Sequence, residues 1–85
     1  MYLPKSARFL DDIYDPRIEV SRCVKQSAFE KIDCNKIMGY DVRKCHNTKT
    51  NKRYITLTAH VAREPYYNIY NIAVDMVKEL DIITH

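Results

Sequence analysis

The chain holds one strongly cationic stretch, residues 43–53, which reads Arg-Lys-Cys-His-Asn-Thr-Lys-Thr-Asn-Lys-Arg. It contains no acidic residue and five cationic ones, namely Arg43, Lys44, Lys49, Lys52 and Arg53. The formal net charge of the whole 85-residue chain is +3, so the rest of the chain is slightly acidic. A polyanion is therefore attracted to one patch, and local clustering of cations is the usual electrostatic mark of a nucleic-acid-binding protein.

We predict that this stretch contacts phosphates. Lysine and arginine supply charge, the guanidinium group adds bidentate geometry, and neutral His, Asn and Thr side chains orient the ligand by hydrogen bonding. Tyr54 follows directly, and aromatic rings beside cations hold single-stranded bases by stacking. The alternative is a solvated turn whose lysines only discourage edge-to-edge aggregation. The predicted nucleic-acid-binding residues are Arg43, Lys44, His46, Lys49, Lys52, Arg53, Tyr54, Arg22 and Lys25.

Catalysis is not expected. A nuclease needs a base, an acid and a cation, and His46, His60 and Lys49 are the residue types that could supply them. No carboxylate lies at a spacing that would support either histidine in such a role. The single glycine excludes a glycine-rich phosphate loop, and no cofactor is expected.

The three cysteines have the spacing C-x10-C-x10-C. Structural zinc sites normally use close cysteine pairs on one turn, so a metal site that also includes His46 is the weaker interpretation. An odd number of cysteines without a secretion signal favours reduced thiols. They are Cys23, Cys34 and Cys45.

The length and composition fit one domain over residues 1–85. No Ser/Gly-rich run divides the chain, and no apolar run is long enough for a signal peptide or a membrane span. We therefore expect a cytoplasmic protein, or one of the host cytoplasm if a phage encodes it.

The first third of the chain has helical spacing. The pattern predicts a short helix from Ser6 to about Asp15 and a second one over about residues 16–33, in which Val20, Val24, Ala28 and Ile32 recur at every fourth position. In the alternative, Ile18, Val20 and at most Arg22 alternate in a short strand, which precedes a shorter helix from Lys25. Three β-branched residues lower the helix propensity of the first half of this segment.

After Lys36 the period changes to two, which is typical of half-buried strands. Met38, Tyr40 and Val42 alternate in one strand, and Ile55, Leu57, Ala59 and Val61 alternate in the next, with Tyr54, Thr56, Thr58 and His60 facing outward. The polar residues 47–51 between them predict a β-hairpin whose tip is the cationic stretch. Pro65 begins a last helix, which should end near Leu80.

These elements predict an α+β fold with the order α-α-β-β-α, in which two to three helices cover a small antiparallel hairpin sheet. Because a two-stranded sheet is marginal alone, we expect the tail at residues 82–84, or the same edge of a second copy in a homodimer, to complete it.

The element order also resembles a double-stranded-RNA-binding domain, but the sequence departs from that family where it should be specific. The last helix begins Pro65-Tyr66-Tyr67-Asn68, where that family has a lysine-rich phosphate clamp, and no glycine-rich strand region precedes it. Its binding residues are therefore not carried across.

In general character the chain resembles the small accessory proteins that T-even-type phages make against host defences. It is compact, rich in Lys, Asn, Ile and Tyr, has one Gly and no Trp, and holds the basic stretch Arg43 to Arg53. Within that group it is similar to RNA-binding inhibitors of toxin–antitoxin ribonucleases. The resemblance implies a homodimer that binds RNA and blocks a ribonuclease toxin in a ribonucleoprotein assembly.

The sequence thus predicts a non-enzymatic RNA-binding accessory protein that grips phosphates with a basic β-hairpin. Its partners are expected to be RNA and a host or toxin protein. The alternative is a protein-binding inhibitor that docks the hairpin on an acidic partner surface without nucleic acid.

Overall fold

The computed structural model of the chain describes Pro4 and residues 6–10, 15–33 and 38–84. Four strands and two helices follow one another in the order β-β-α-β-β-α. They are β1 (Ala7–Leu10), β2 (Arg17–Val24), α1 (Gln26–Lys31), β3 (Asp41–Asn47), β4 (Lys52–His60) and α2 (Tyr66–Ile83).

The strands form one antiparallel sheet with the spatial order β1-β2-β4-β3. β4 is central and long. It pairs with β2 over residues 53–60 and with β3 over residues 52–58. β1 adds four residues to the outer edge of β2. Because neighbouring residues on a strand point to opposite sides, this register decides which side chains share a face.

One face of the sheet packs against α2 and forms the core. Alternate residues of β2 and β4 are fully buried there, and Ala73, Met76 and Leu80 of α2 are buried against them. The predicted inward set Ile55, Leu57, Ala59 and Val61 is confirmed, since all four are buried. Burial of this apolar surface, at about 25 cal/mol per Å², is the main stabilising contribution to so small a fold.

The predicted hairpin is present and is formed by β3 and β4. Its polar tip is ordered by Asn47, whose Oδ1 accepts hydrogen bonds from the backbone N–H of Lys49 at 3.0 Å and of Thr50 at 3.3 Å. A side chain that replaces a backbone acceptor in this way is an Asx turn. Asn51 completes the turn with a positive φ of 57°, a conformation that asparagine tolerates better than most residues.

The predicted helix over residues 16–33 is wrong, and the alternative of a strand followed by a short helix is correct. Residues four apart lie on one face of a strand as well as of a helix, so Val20 and Val24 fit both periods. Ile18 distinguishes them, because it lies two residues before Val20 and both are completely buried while Glu19 between them is only half-buried. The pairing with β4 outweighs the local helical spacing.

The predicted first helix is also wrong where the structure describes it, because residues 7–10 form β1; residues 11–14 of that prediction lie outside the described residues. Residues 36–37 of the strand predicted from Lys36 lie outside the described residues; Met38 and Gly39 adopt positive φ values of 54° and 84°, and β3 begins at Asp41. The last helix continues to Ile83, beyond the predicted Leu80, so residues 82–84 do not add a strand.

The fold is therefore α+β with a four-stranded sheet and two helices, and the predicted order α-α-β-β-α is wrong. The first segments of the chain supply the strands that a lone hairpin would lack. This removes the reason for expecting a second copy to complete the sheet. Within the described ranges, no helix is long and apolar enough to cross a membrane.

Candidate nucleic-acid interface

The second face of the sheet, which we call the open face, carries the side chains that alternate with the core residues. No described helix packs on it. Along β4 it presents Lys52, Tyr54, Thr56, Thr58 and His60, and the flanking strands add Arg8, Leu10, Arg17, Glu19, Ser21, Cys23, Asp41, Arg43, Cys45 and Asn47. A half-open antiparallel sheet of this kind offers a wide, shallow platform instead of a deep cleft.

Tyr54 occupies the middle of the hairpin end of the open face. The strand register places Cys23 on one side of it and Cys45 on the other. Both cysteines are exposed, so the half-buried Tyr54 has a small side chain as its neighbour on each adjacent strand. A planar ring in a sheet, flanked by small residues, is suited to stacking of a nucleobase.

Two cations lie beside this ring on the same face. Lys52 is two residues before Tyr54 on β4, and Arg43 is the diagonal neighbour of Tyr54 on β3, a relation in which side chains about 7–8 Å apart still reach each other. The Arg43 side chain is 68% exposed, and its Nη2 lies 3.4 Å from Glu19 Oε2. A pair this long and exposed contributes little to stability, so Arg43 is able to turn to another anion.

The centre of the face is held by hydroxyl groups. Ser21 Oγ and Thr56 Oγ1 lie 2.9 Å apart and form a hydrogen bond between β2 and β4. Thr56 and Thr58 are buried although they belong to this face, because the side chains of both neighbouring strands surround them. The middle of the platform is therefore neutral and polar, while Lys52 and His60 lie at the two ends of β4 and the other charged groups lie on the flanking strands.

The remaining predicted cations of the hairpin point to the other side of the sheet. Lys44 Nζ donates to the carbonyl oxygen of Ile32 at 2.8 Å and lies 4.8 Å from the centre of the Phe29 ring. The His46 ring contacts the same Phe29 ring, and His46 Nε2 lies 3.1 Å from Asn51 Oδ1. Arg53 is opposite His46 and half-buried. Lys44 and His46 thus hold α1 against the hairpin.

The predicted contributors outside the hairpin also lie away from Tyr54. Arg22 is on the α2 side of β2, where its Nη1 donates to Asp81 Oδ1. Lys25 is exposed directly before α1. The structure therefore brings together Arg43, Lys52 and Tyr54 and places Lys49 in the turn of the same hairpin. It separates this group from Lys44, His46, Arg53, Arg22 and Lys25.

At the opposite end of the open face from the tip, a shallow depression of about 350 Å³ lies over β4. Its lining combines cationic, acidic and hydroxyl groups, namely Arg17, Asp41, Arg43, Thr58, His60 and the strand residue Val42. His60 Nδ1 lies 2.8 Å from Asp15 Oδ1, and its Nε2 lies 3.4 Å from Asp41 Oδ2. Two carboxylates on either side of one ring favour the imidazolium, which donates from both nitrogens.

Hydrogen bonding and charge from Asp15, and then from Asp41, raise the pKa of His60 above its ordinary value of 6.5. The folded chain therefore binds this proton more tightly than the unfolded chain does. The stabilisation is complete below pH 6.5 and is lost as the pH rises through the raised pKa. We expect the urea midpoint of unfolding to fall as the pH is raised from about 6 to 8.

The His60→Gln variant should lose that part of the pH dependence, whereas His46→Gln, which has no carboxylate partner among the described residues, should retain it. The ring is exposed, so the effect is modest and should weaken with added salt. An unchanged pH profile in His60→Gln would show that the contacts of His60 with Asp15 and Asp41 do not contribute to the pH dependence of stability.

No group of three His, Cys, Asp or Glu side chains able to hold a metal occurs among the described residues, and Cys34 lies outside them. Cys23 and Cys45 are both free. Because one strand separates them, they stand about two strand spacings, roughly 9–10 Å, apart, which is too far for a disulfide.

Sequence reasoning missed the contribution of β2 to this face, namely Arg17, Glu19, Ser21 and Cys23. The signal was the alternation of these residues with Ile18 and Val20, which the helical interpretation concealed. The outward residues of β4, in contrast, were predicted from their alternation.

Comparison of the chain with models of protein families, with curated proteins and with solved structures finds no match.

Proposed function

We propose that the protein binds single-stranded RNA, with bases stacked on the open face at Tyr54 and phosphates held by the cations of the hairpin. The observation that carries the proposal is the position of Tyr54 between two exposed cysteines, with Lys52 and Arg43 beside it. Stacking supplies sequence-tolerant affinity, and the cations supply the electrostatic part.

Residues of the cationic stretch alternate between the two faces of the sheet, so only some of its cations are available on the open face. Arg43 and Lys52 fall on the same side of the sheet as Tyr54, while Lys44 is already hydrogen-bonded and packed on the other side. Ordering of the tip by Asn47 fixes where Lys49 is presented. The hairpin thus acts as an arm that continues the platform toward the phosphates of a bound strand.

The T-even-type resemblance adds a biological setting to this proposal. In a host cytoplasm, a small chain that coats RNA would block a ribonuclease toxin at its substrate, or hold the toxin through shared RNA. Catalysis by the chain itself is not part of the proposal, and neither is a second copy, since one chain contains the whole platform.

The proposal is tested by the state of the purified chain. We expect a raised ratio of absorbance at 260 nm to that at 280 nm, which returns to a protein value after ribonuclease treatment, and binding of a twelve-nucleotide oligo(U) after removal of this RNA. A clean preparation that does not bind oligo(U) and captures an acidic protein in a ribonuclease-insensitive way would support the protein-binding inhibitor instead.

A further inference from the structure

A second aromatic ring lies on the open face, at the opposite end of β4 from the hairpin tip. It is the imidazole of His60, which alternates with the core residues of β4 in the same way as Tyr54. Its side chain is 54% exposed. Histidine is one of the aromatic side chains on which unpaired bases stack. Among the described residues of the open face, only Tyr54 and His60 carry aromatic rings.

The polar contacts of His60 hold this ring by its edge. Nδ1 lies 2.8 Å from Asp15 Oδ1, and Nε2 lies 3.4 Å from Asp41 Oδ2. Hydrogen bonds of an imidazole lie in the plane of the ring, so neither contact requires a carboxylate to cover a ring face. With both nitrogens engaged, the exposed part of the side chain is mainly carbon. The ring is therefore oriented from two sides and still offers a flat surface to a ligand.

The shallow depression beside His60 suits an uncharged base better than a phosphate. Its volume of about 350 Å³ lies within the range of about 300–1,000 Å³ that is usual for small-molecule sites. Three cations stand among three carboxylates at this end of the face, namely Arg17, Arg43 and His60 among Asp15, Glu19 and Asp41. With His60 protonated, these formal charges cancel. A phosphate therefore gains little net attraction here, whereas stacking of a base does not depend on net charge.

The two rings are spaced for one strand of RNA. His60 is six residues from Tyr54 on β4, about 20 Å at the rise of a strand. At the rise of about 3.4 Å between stacked bases, this distance corresponds to about six nucleotides, within the range of about 4–16 that base-stacking folds bind. Arg43 is paired with Thr56 between the two rings, and its side chain is 68% exposed. A strand that runs along β4 thus meets one ring, a guanidinium group and a second ring.

We propose that His60 is a second base-stacking position, so that one RNA strand of about six nucleotides spans from Tyr54 to His60 with its backbone at Arg43. This inference rests on the proposed function, because it names the path and the length of RNA that the open face takes. Two contacts on one strand reinforce each other, since binding at the first ring raises the effective concentration of the next bases at the second. A duplex, whose bases stay paired, would use neither ring.

The test compares His60→Phe with His60→Gln. Both variants lose the imidazolium charge, but only the phenylalanine keeps an aromatic ring. His60→Gln should therefore bind twelve-nucleotide oligo(U) about five- to 150-fold more weakly than His60→Phe, the range for one stacked base. The slope of log K against log salt should be the same in both, because they carry the same charge. Fluorescence anisotropy of labelled RNA measures both quantities.

His46 provides the matched control. It lies on the other side of the sheet, where its ring contacts Phe29. His46→Phe and His46→Gln make the same two changes there and should bind oligo(U) with equal affinity. A difference between them as large as that between the two His60 variants would overturn the inference, because the effect would then not belong to the open face.

Nuclear magnetic resonance of the wild-type protein gives a result that needs no variant. Saturation with twelve-nucleotide oligo(A) should move the ring-proton resonances of His60 upfield, because a stacked adenine places these protons in its ring current. Those of His46 should stay in place. If a His60 variant fails to fold by circular dichroism, this measurement decides alone.

The outcomes separate the two proposals. Equal binding of oligo(U) by His60→Phe and His60→Gln, or His60 resonances that do not move at saturating oligo(A), would overturn the inference and leave the proposed function standing. Failure of the wild-type protein to bind either oligomer would overturn the proposed function itself.

Discussion

Replacing Tyr54 by alanine should weaken the binding of twelve-nucleotide oligo(U) about five- to 150-fold. The range corresponds to the loss of one base stacked on an aromatic ring, roughly 1–3 kcal/mol. The ring is on the open face, whereas the buried side chains of Ile55 and Leu57 lie on the opposite face of the sheet. The substitution therefore leaves the packing against α2 in place. Fluorescence anisotropy of labelled RNA measures the change.

Two control variants show whether the loss belongs to stacking. Tyr54→Phe keeps the ring and should bind within about twofold of wild type. Tyr67→Ala makes the same chemical change at an exposed position of α2 and should have no effect on binding. Equal losses in Tyr54→Ala and Tyr67→Ala would show that neither ring has a local role.

The second large effect is expected from the combined change of Arg43, Lys49 and Lys52 to glutamine. If each contacts one phosphate, the slope of log K against log salt should flatten by about 0.7 for each, or about 2 for the set. At 0.1 M salt this corresponds to an affinity roughly a hundredfold lower. Titrations at several salt concentrations measure both quantities.

The chain offers a matched control with the same loss of charge. Lys25, Lys31 and Arg53 lie on or beside α1 or on the covered side of β4, away from Tyr54. Their combined change to glutamine should lower binding only slightly, through long-range attraction, and leave the slope nearly unchanged. A slope that flattens equally in both variants would mean that net charge, and not the open face, governs binding.

The hairpin and the last helix could be predicted from sequence because each has a clear local signal. Ile55, Leu57 and Ala59 alternate with polar residues, and Pro65 stands where a helix begins. The turn residues around Asn47 agree with both. In these segments local preference and tertiary packing favour the same structure, which is the condition under which single-sequence reasoning succeeds.

β1 and β2 could not be predicted in this way, because their structure depends on pairing with a strand more than thirty positions later. Val20 pairs with Leu57, and Ala7 pairs with Val20 in turn. Local spacing in this region fits a helix, and only the sheet context decides against it. The same gap concealed the open face, since Arg17, Ser21 and Cys23 become neighbours of Thr56 and Tyr54 only after that pairing forms.

The central claim is that RNA lies on the open face across Tyr54, and the two flanking cysteines report on it directly. The alkylation rates of Cys23 and Cys45 by iodoacetamide, followed separately by mass spectrometry, should both fall when oligo(U) saturates the protein. They should return to their free values in high salt, where the RNA dissociates. Unchanged rates for both cysteines at saturating RNA would show that RNA binds elsewhere and would contradict the account.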